Sequence, residues 1–325
     1  MKNLLPTLAL LAATVLMSPA MALAAPNVVV SLKPIHSLAA SIMMGIAEPG
    51  LILKGAGSPH TYQMKPADAE LLQNADLVFW VGPELEKFLE KPIASLSTHA
   101  TVVELEAAPG LSKLPVREGG AFEAHGDGDH DHDDHAGDDH QHDHSSGSHD
   151  EHGAHDAHVW LDTDNAKVLA RAIKTALSAA DPANAPRYED NLVALETRLD
   201  ALETELRSSL APVKDRPIVV FHDAYQYFEK QFGIRAVGSI TVSPETLPGA
   251  ARISEIQEKL KGLDASCVFA EPQFEPKLIN VVMEGTTART GTLDPEASTL
   301  AEGPDLYFEL MRGMAASIRD CLSAQ

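Results

Sequence analysis

Residues 182–212 read PANAPRYEDNLVALETRLDALETELRSSLAP, and this stretch decides the architecture. Tyr188, Leu192, Leu195, Leu199, Leu202, Leu206 and Leu210 recur at spacings of three and four, the period that gathers one apolar stripe on an α-helix. Asp181-Pro182 opens it, an acidic cap followed by a proline suited to a first turn. About 30 residues at about 1.5 Å each make a rod of about 45 Å. A coiled-coil dimer is the alternative explanation, but no further heptads follow and α/β-patterned sequence flanks the rod on both sides. The reading is one stiff linking helix, residues 181–212, packed along two domains.

On the N-terminal side, short β-branched runs alternate with helical patterns. Val28–Val30, Leu51–Leu53, Leu77–Val81 and Thr101–Val103 read as strands, and Leu38–Ile46 and Pro66–Gln73 as helices. The rhythm returns on the C-terminal side. Ile218–Phe221, Ile234–Ile240 and Cys267–Phe269 read as strands, and Tyr225–Gln231, Ala250–Leu260 and Lys277–Glu284 as helices. Strands alternating with helices predict mainly parallel sheets flanked by crossover helices. The fold class is therefore α/β, with lobes at residues 25–180 and 213–325 joined by the rod.

The 325 residues suit two domains, and 44% hydrophobic content suffices for a core. A formal net charge of −22 argues against nucleic acid and anionic membrane surfaces as partners. Residues 1–24 read as a cleaved signal peptide. Lys2 supplies the positive start, residues 4–16 the apolar run, and Ala22-Leu23-Ala24 the small-residue cleavage pattern. The run is shorter than the roughly 20 residues of a spanning helix, and no cysteine near it offers a lipid anchor. Export to the periplasm is expected. Cys267 and Cys321 are the only cysteines, so an oxidising compartment allows one pairing, with two buried thiols as the alternative.

Residues 118–156 carry ten histidines, ten aspartates and three glutamates, with no lysine or arginine. With so little apolar mass the stretch is expected to be a disordered loop inserted in the first lobe. Alternate imidazoles on extended chain, such as His130/His132 or His140/His142/His144, can chelate zinc, copper or nickel. The bland alternative is a solubilising linker. Deleting residues 119–156 is expected to remove weak sites and leave one tight one.

Outside that loop lie His36, His60, His99, His158 and His222. His60, His158 and His222 stand where strand-like segments meet loops, and open α/β sheets bind ligands beyond the carboxyl ends of strands. Each alone is more often a packed residue than a ligand, and no short metal motif links them.

Several segments together resemble the periplasmic zinc-uptake solute-binding proteins of ATP-driven (ABC) importers, the ZnuA type. They are Ser31-Leu32-Lys33-Pro34-Ile35-His36, residues 74–83 (NADLVFWVGP), Asp156-Ala157-His158-Val159-Trp160-Leu161 and Phe221-His222-Asp223-Ala224-Tyr225. Ser243-Pro244-Glu245, Pro248-Gly249-Ala250, Phe269-Ala270-Glu271-Pro272-Gln273 and Gly291-Thr292-Leu293-Asp294-Pro295 complete the set. The resemblance implies two α/β lobes joined by a long rigid helix. It also implies a Zn²⁺ ligand set of His60, His158 and His222, with Asp294 or water in the fourth position. Pro59 stands where some zinc-binding members carry a ligating glutamate. The family's disulfide pattern is similar to Cys267–Cys321, and the implied partner is the membrane permease of an importer, served by a monomer. A manganese receptor is one alternative, favoured by a carboxylate at the position of His222. A metal-storage protein or adhesin relying on the loop is another. A secreted zinc hydrolase, with Glu271 or Asp223 as base, is the enzyme alternative, and no H-E-x-x-H or G-x-S-x-G motif supports it. The expectation is a binding protein and not an enzyme.

Overall fold

The β-branched runs on either side of the rod form two separate sheets. The computed structural model describes residues 25–117, 122, 155–241, 249–262, 267–274 and 276–323. The signal-peptide reading, nearly all of the His/Asp-rich stretch and the segment 243–248 lie outside the described residues. Among those described, no helix is long and apolar enough to cross a membrane.

The first sheet contains β1 (Val28–Val30), β2 (Gly50–Leu51), β3 (Leu77–Trp80) and β4 (Thr101–Glu104), all parallel, in the order β2-β1-β3-β4. Its helices are α1 (Lys33–Ile42), α2 (Pro66–Gln73), α3 (Lys87–Leu96) and α4 (Thr163–Ala180). The long helix α5 (Ala185–Leu210) follows. The second sheet repeats the topology with β5 (Pro217–Val220), β6 (Arg235–Ser239), β7 (Cys267–Ala270) and β8 (Arg289–Thr292), in the order β6-β5-β7-β8. Helices α6 (Gln226–Phe232), α7 (Ala250–Gly262), α8 (Pro276–Met283) and α9 (Leu306–Ser323) complete it.

In each sheet the chain reverses its direction of growth between the first strand and its third-drawn neighbour. That reversal opens a crevice beyond the strand ends at β1/β3 and again at β5/β7. Strands β1, β3 and β5 are almost wholly buried, as expected of parallel sheets covered on both faces.

Helix α5 buries all seven stripe residues, from Tyr188 to Leu210. At 26 residues it is about 39 Å long. It packs on α1 and α4 on one side and on α6 and α9 on the other. One apolar core consequently runs from Val28 to Leu322 through both halves, and each sheet keeps a smaller core on its other face. Ion pairs line the seams of the rod: Arg171–Glu196 at 2.6 Å and Lys174–Glu189 at 2.8 Å towards α4, and Arg312–Glu205 at 2.8 Å towards α9.

Some elements differ from the sequence reading. Helix α1 spans Lys33–Ile42 and not 38–46, because Pro34 fits the first turn and Gly45, at φ +74°, leaves the helix in the left-handed region. Helices α3, α4 and α9 and strand β8 were not expected. The Cys267–Cys321 disulfide forms, tying β7 in the sheet to α9 over a separation of 54 residues.

Candidate metal centre

His222 follows β5 and Glu271 follows β7, so the two stand on opposite sides of the β5/β7 crevice. The carboxylate Oε1 of Glu271 lies 2.7 Å from Nδ1 of His222 and also accepts the Tyr225 hydroxyl at 3.0 Å. From the N-terminal half, just ahead of α4, comes His158, directly before a single 3₁₀ turn, Val159–Leu161. Its neighbour Asp156 makes a local turn, accepting the backbone N–H of His158 at 3.0 Å and lying 2.8 Å from its Nδ1, both through Oδ1. His60 lies in the turn after β2, where Thr61 donates its N–H to Ser58 at 3.1 Å. It is half-buried, whereas His158 and His222 are only 5% and 4% exposed.

These three imidazoles meet although 98 and 64 residues separate them in sequence. One nitrogen from each ring lies within 4.8 Å of the other two. Ring centroids are 5.2 Å apart for His158/His222, 5.7 Å for His60/His158 and 5.6 Å for His60/His222. Between His158 and His222 the approach is by Nε2, at 3.4 Å. A carboxylate beside Nδ1 assigns the ring proton to that nitrogen, which leaves a lone pair on Nε2. With both rings neutral, two lone pairs face each other at this distance and repel; a cation between them, a proton or a metal ion, is the stable complement. Two nitrogens about 2.0–2.1 Å from a tetrahedral zinc stand about 3.3–3.4 Å apart, which matches.

The surroundings are acidic. Burial alone lowers the proton affinity of His222, but the charge of Glu271 and its hydrogen bond, with Asp156 and Asp223, outweigh this and hold it above the ordinary imidazole range. A site that retains a proton on a buried ring is one that favours a cation.

Asp294 is not in this group. Its Oδ1 accepts Gln273 Nε2 at 3.0 Å and its Oδ2 accepts Ser298 Oγ at 2.9 Å, so it caps its own turn. His36 is buried with Nε2 on the Pro49 carbonyl at 2.9 Å, and His99 stands apart from the cluster. The candidate bases of a hydrolase are also committed: Glu271 to His222 and Tyr225, and Asp223 to an ion pair with Arg117. The contacts of Asp156 and Glu271 with His158 and His222 were not assigned from the sequence, which offered Glu271 only as a hydrolase base. Asp156 was readable from its spacing two residues before His158. Glu271 was not, since only the pairing of β5 with β7 brings it to His222. The role of Asp156 also corrects the expected deletion: removing residues 119–156 takes away the carboxylate that orients His158, so a harmless cut must stop before His155.

The family model "Zinc-uptake complex component A periplasmic" matches residues 28–321. The chain is 51% identical over 306 residues to the high-affinity zinc uptake system protein ZnuA of Brucella suis biovar 1, covering 91% of this chain and 92% of that one. It is 37% identical over 315 residues to the protein of the same name from Yersinia pestis, covering 97% and 96%. Among solved structures it resembles a crystal structure of ZnuA, with TM-score 0.72, 22% identity and coverage of 91% and 98%. It is similar also to the periplasmic zinc binding protein TroA from Treponema pallidum, with TM-score 0.72, 20% identity and coverage of 91% and 99%. At those identities the structural likeness speaks for the fold alone. The match along nearly the whole chain, with relatives well above 30% identity, establishes that the chain belongs to the ZnuA family of periplasmic zinc-uptake components.

Proposed function

We propose that the chain is a periplasmic receptor that captures Zn²⁺ between its two lobes, residues 25–180 and 213–325, and hands it as a monomer to the membrane permease of an ABC importer. His60, His158 and His222 bind the ion through nitrogen and water fills the fourth position, since Asp294 is engaged in its own turn. The observation that carries the reading is the 3.4 Å approach of two Nε2 atoms whose Nδ1 partners are both carboxylates. A third imidazole in place of a carboxylate favours zinc over manganese. The chain is not an enzyme: its relatives are named as parts of an uptake system, and the nearby acids hold ligands or pair with arginine.

The His/Asp-rich stretch serves as an auxiliary collector or sensor of zinc at higher concentration. Competitive titration with Zn²⁺, Mn²⁺, Ni²⁺ and Cu²⁺ against a chromophoric chelator tests the reading. One tight zinc site is expected, weakened by orders of magnitude in His60→Ala or His222→Ala. Tight, stoichiometric binding in the double variant overturns it. Failure of a deletion strain to grow under zinc chelation, restored by the gene, tests uptake.

A further inference from the structure

Helix α6 begins four residues after His222 and faces both ends of the His/Asp-rich stretch. Ahead of the stretch, Leu114 donates its backbone N–H to the Tyr227 hydroxyl at 3.0 Å. Behind it, the same hydroxyl donates to the carbonyl of Asp156 at 2.7 Å. The two ends also hold each other: the N–H of Asp156 donates to the Leu114 carbonyl at 2.9 Å, and Pro115 and His155 form an antiparallel bridge. Arg117 reaches back to α6, giving Glu229 two hydrogen bonds of 3.1 and 2.8 Å, and grips both oxygens of Asp223, with Nε on Oδ2 at 2.8 Å. The guanidinium also lies 3.9 Å over the ring of Phe122.

The contacts to Asp156 and Asp223 end one step from a proposed ligand. Asp156 is the carboxylate that fixes His158, and Asp223 is the residue after His222. Tyr227 is buried, so its hydroxyl bonds are sheltered from water and a lost one leaves an unsatisfied group behind. We infer that Tyr227 and Arg117 are positioning residues of the metal centre: α6 clasps both feet of the His/Asp-rich stretch and, through them, sets the two buried ligand histidines. The residues at either end of the stretch, Leu114 to Arg117 and His155 to Asp156, are thus anchored beside the proposed site. The inference rests on the three-histidine reading above.

The test is Tyr227→Phe in the full chain, which removes one oxygen and keeps the packed ring. Its control is Tyr188→Phe, whose hydroxyl donates to Asp181 Oδ2 at 3.0 Å at the start of α5 and serves no ligand. Tyr227→Phe is expected to weaken the tight zinc site about tenfold, the lower end for groups that orient ligands, and to shift the visible bands of bound Co²⁺. Tyr188→Phe is expected to lower Tm without moving either. Unchanged zinc affinity and Co²⁺ spectrum in Tyr227→Phe overturn the inference. If that variant fails to fold, Arg117→Gln is measured the same way: at least threefold weaker zinc binding supports the clasp and no change overturns it. His222→Ala is run alongside. Its loss of tight binding together with an unaffected Tyr227→Phe defeats the clasp alone, whereas tight binding retained by His222→Ala defeats the three-histidine reading.

Discussion

Replacing Glu271 with Gln tests how far the centre depends on its carboxylates. Oε1 of Glu271 lies 2.7 Å from Nδ1 of His222. Adding the width of the ring and a zinc–nitrogen bond places an ion on Nε2 about 7 Å from that charge. Where the empty site holds a proton on His222, zinc brings one extra unit of positive charge. At an effective dielectric of about 20, losing the carboxylate then costs zinc about 2 kcal/mol relative to the proton, an upper bound because other charges and water screen it. The amide also has an N–H₂ to offer, which can draw a lone pair to Nδ1 and move the ring proton to Nε2, where it blocks the metal. Groups that orient a ligand commonly contribute 10–100-fold in affinity, so Glu271→Gln is expected to raise the zinc Kd by about 10–100-fold. Chelator competition at neutral pH reads the affinity, Co²⁺ spectra read the ligand set, and a metal-free melt separates binding from folding. A Kd within twofold of the parent, with the protein folded, refutes the tautomer argument.

Zinc affinity should begin to fall above pH 6.5, because His222 is held above its ordinary range and its proton competes with the metal as pH drops through that raised value; a Kd that stays flat down to about pH 6 contradicts this. Glu86 is fully buried, and burial, helped by Glu106, outweighs the hydrogen bonds from Val81 and Gly82 and pushes it up to about 7. The folded state therefore binds its proton more tightly than the unfolded state, so stability falls as pH rises from about 4.5 to about 7, by about 3 kcal/mol for this group. Glu86→Gln should show a shallower decline of denaturant midpoint across that window, and equal slopes defeat the assignment. Reducing the Cys267–Cys321 bridge should lower stability by up to about 4 kcal/mol on loop-entropy grounds, read from urea melts with and without reductant.

What the sequence discloses follows from how local each signal is. The rod is legible because its apolar stripe is long and continuous, and each of its seven stripe residues is buried. Helix α2 is legible at both ends because Pro66 fits its first turn and Asp68 accepts the Lys65 N–H at 2.8 Å. Helix α4 has an equally local opening, Asp162 capping Asp164 and Asn165, but its buried stripe is partly alanine and so reads faintly. Pro92 inside α3 argues against a helix that its surroundings nevertheless impose. Strand β8 reads RTGT, with no apolar residue at all. It is a strand because it pairs with β7, where Gly291 leaves room for the Phe269 ring; a Cβ there would come within 2.4 Å of it. At the site, the histidines are visible as residues at strand ends, but their convergence is not. It came from the family resemblance, and the structure supplies the geometry that spacing could not.

The convergence also explains why so much of the chain is devoted to stiffness. Two Nε2 atoms on opposite lobes must be held near 3.4 Å, and a displacement of about 1 Å would leave one of them outside zinc–nitrogen bonding distance. Several features resist that displacement. The stripe of α5 fuses both lobes into one core, so bending the rod would expose leucines from each half. Beside the site, Trp160 Nε1 donates across to the Pro295 carbonyl at 2.9 Å. Lys33, the first residue of α1 and almost wholly buried, donates to the carbonyls of Ala297, Ser298 and Leu300 at 3.3, 2.9 and 3.0 Å. The first-half switch point thereby grips the very turn that Asp294 caps. Asp294 in turn holds Gln273, two residues from the carboxylate that sets His222. Lys33 of the first half and the Asp294 turn of the second are thus joined beside the proposed site, which is the arrangement expected if a single ion is enclosed by preformed walls rather than by a wide closing hinge.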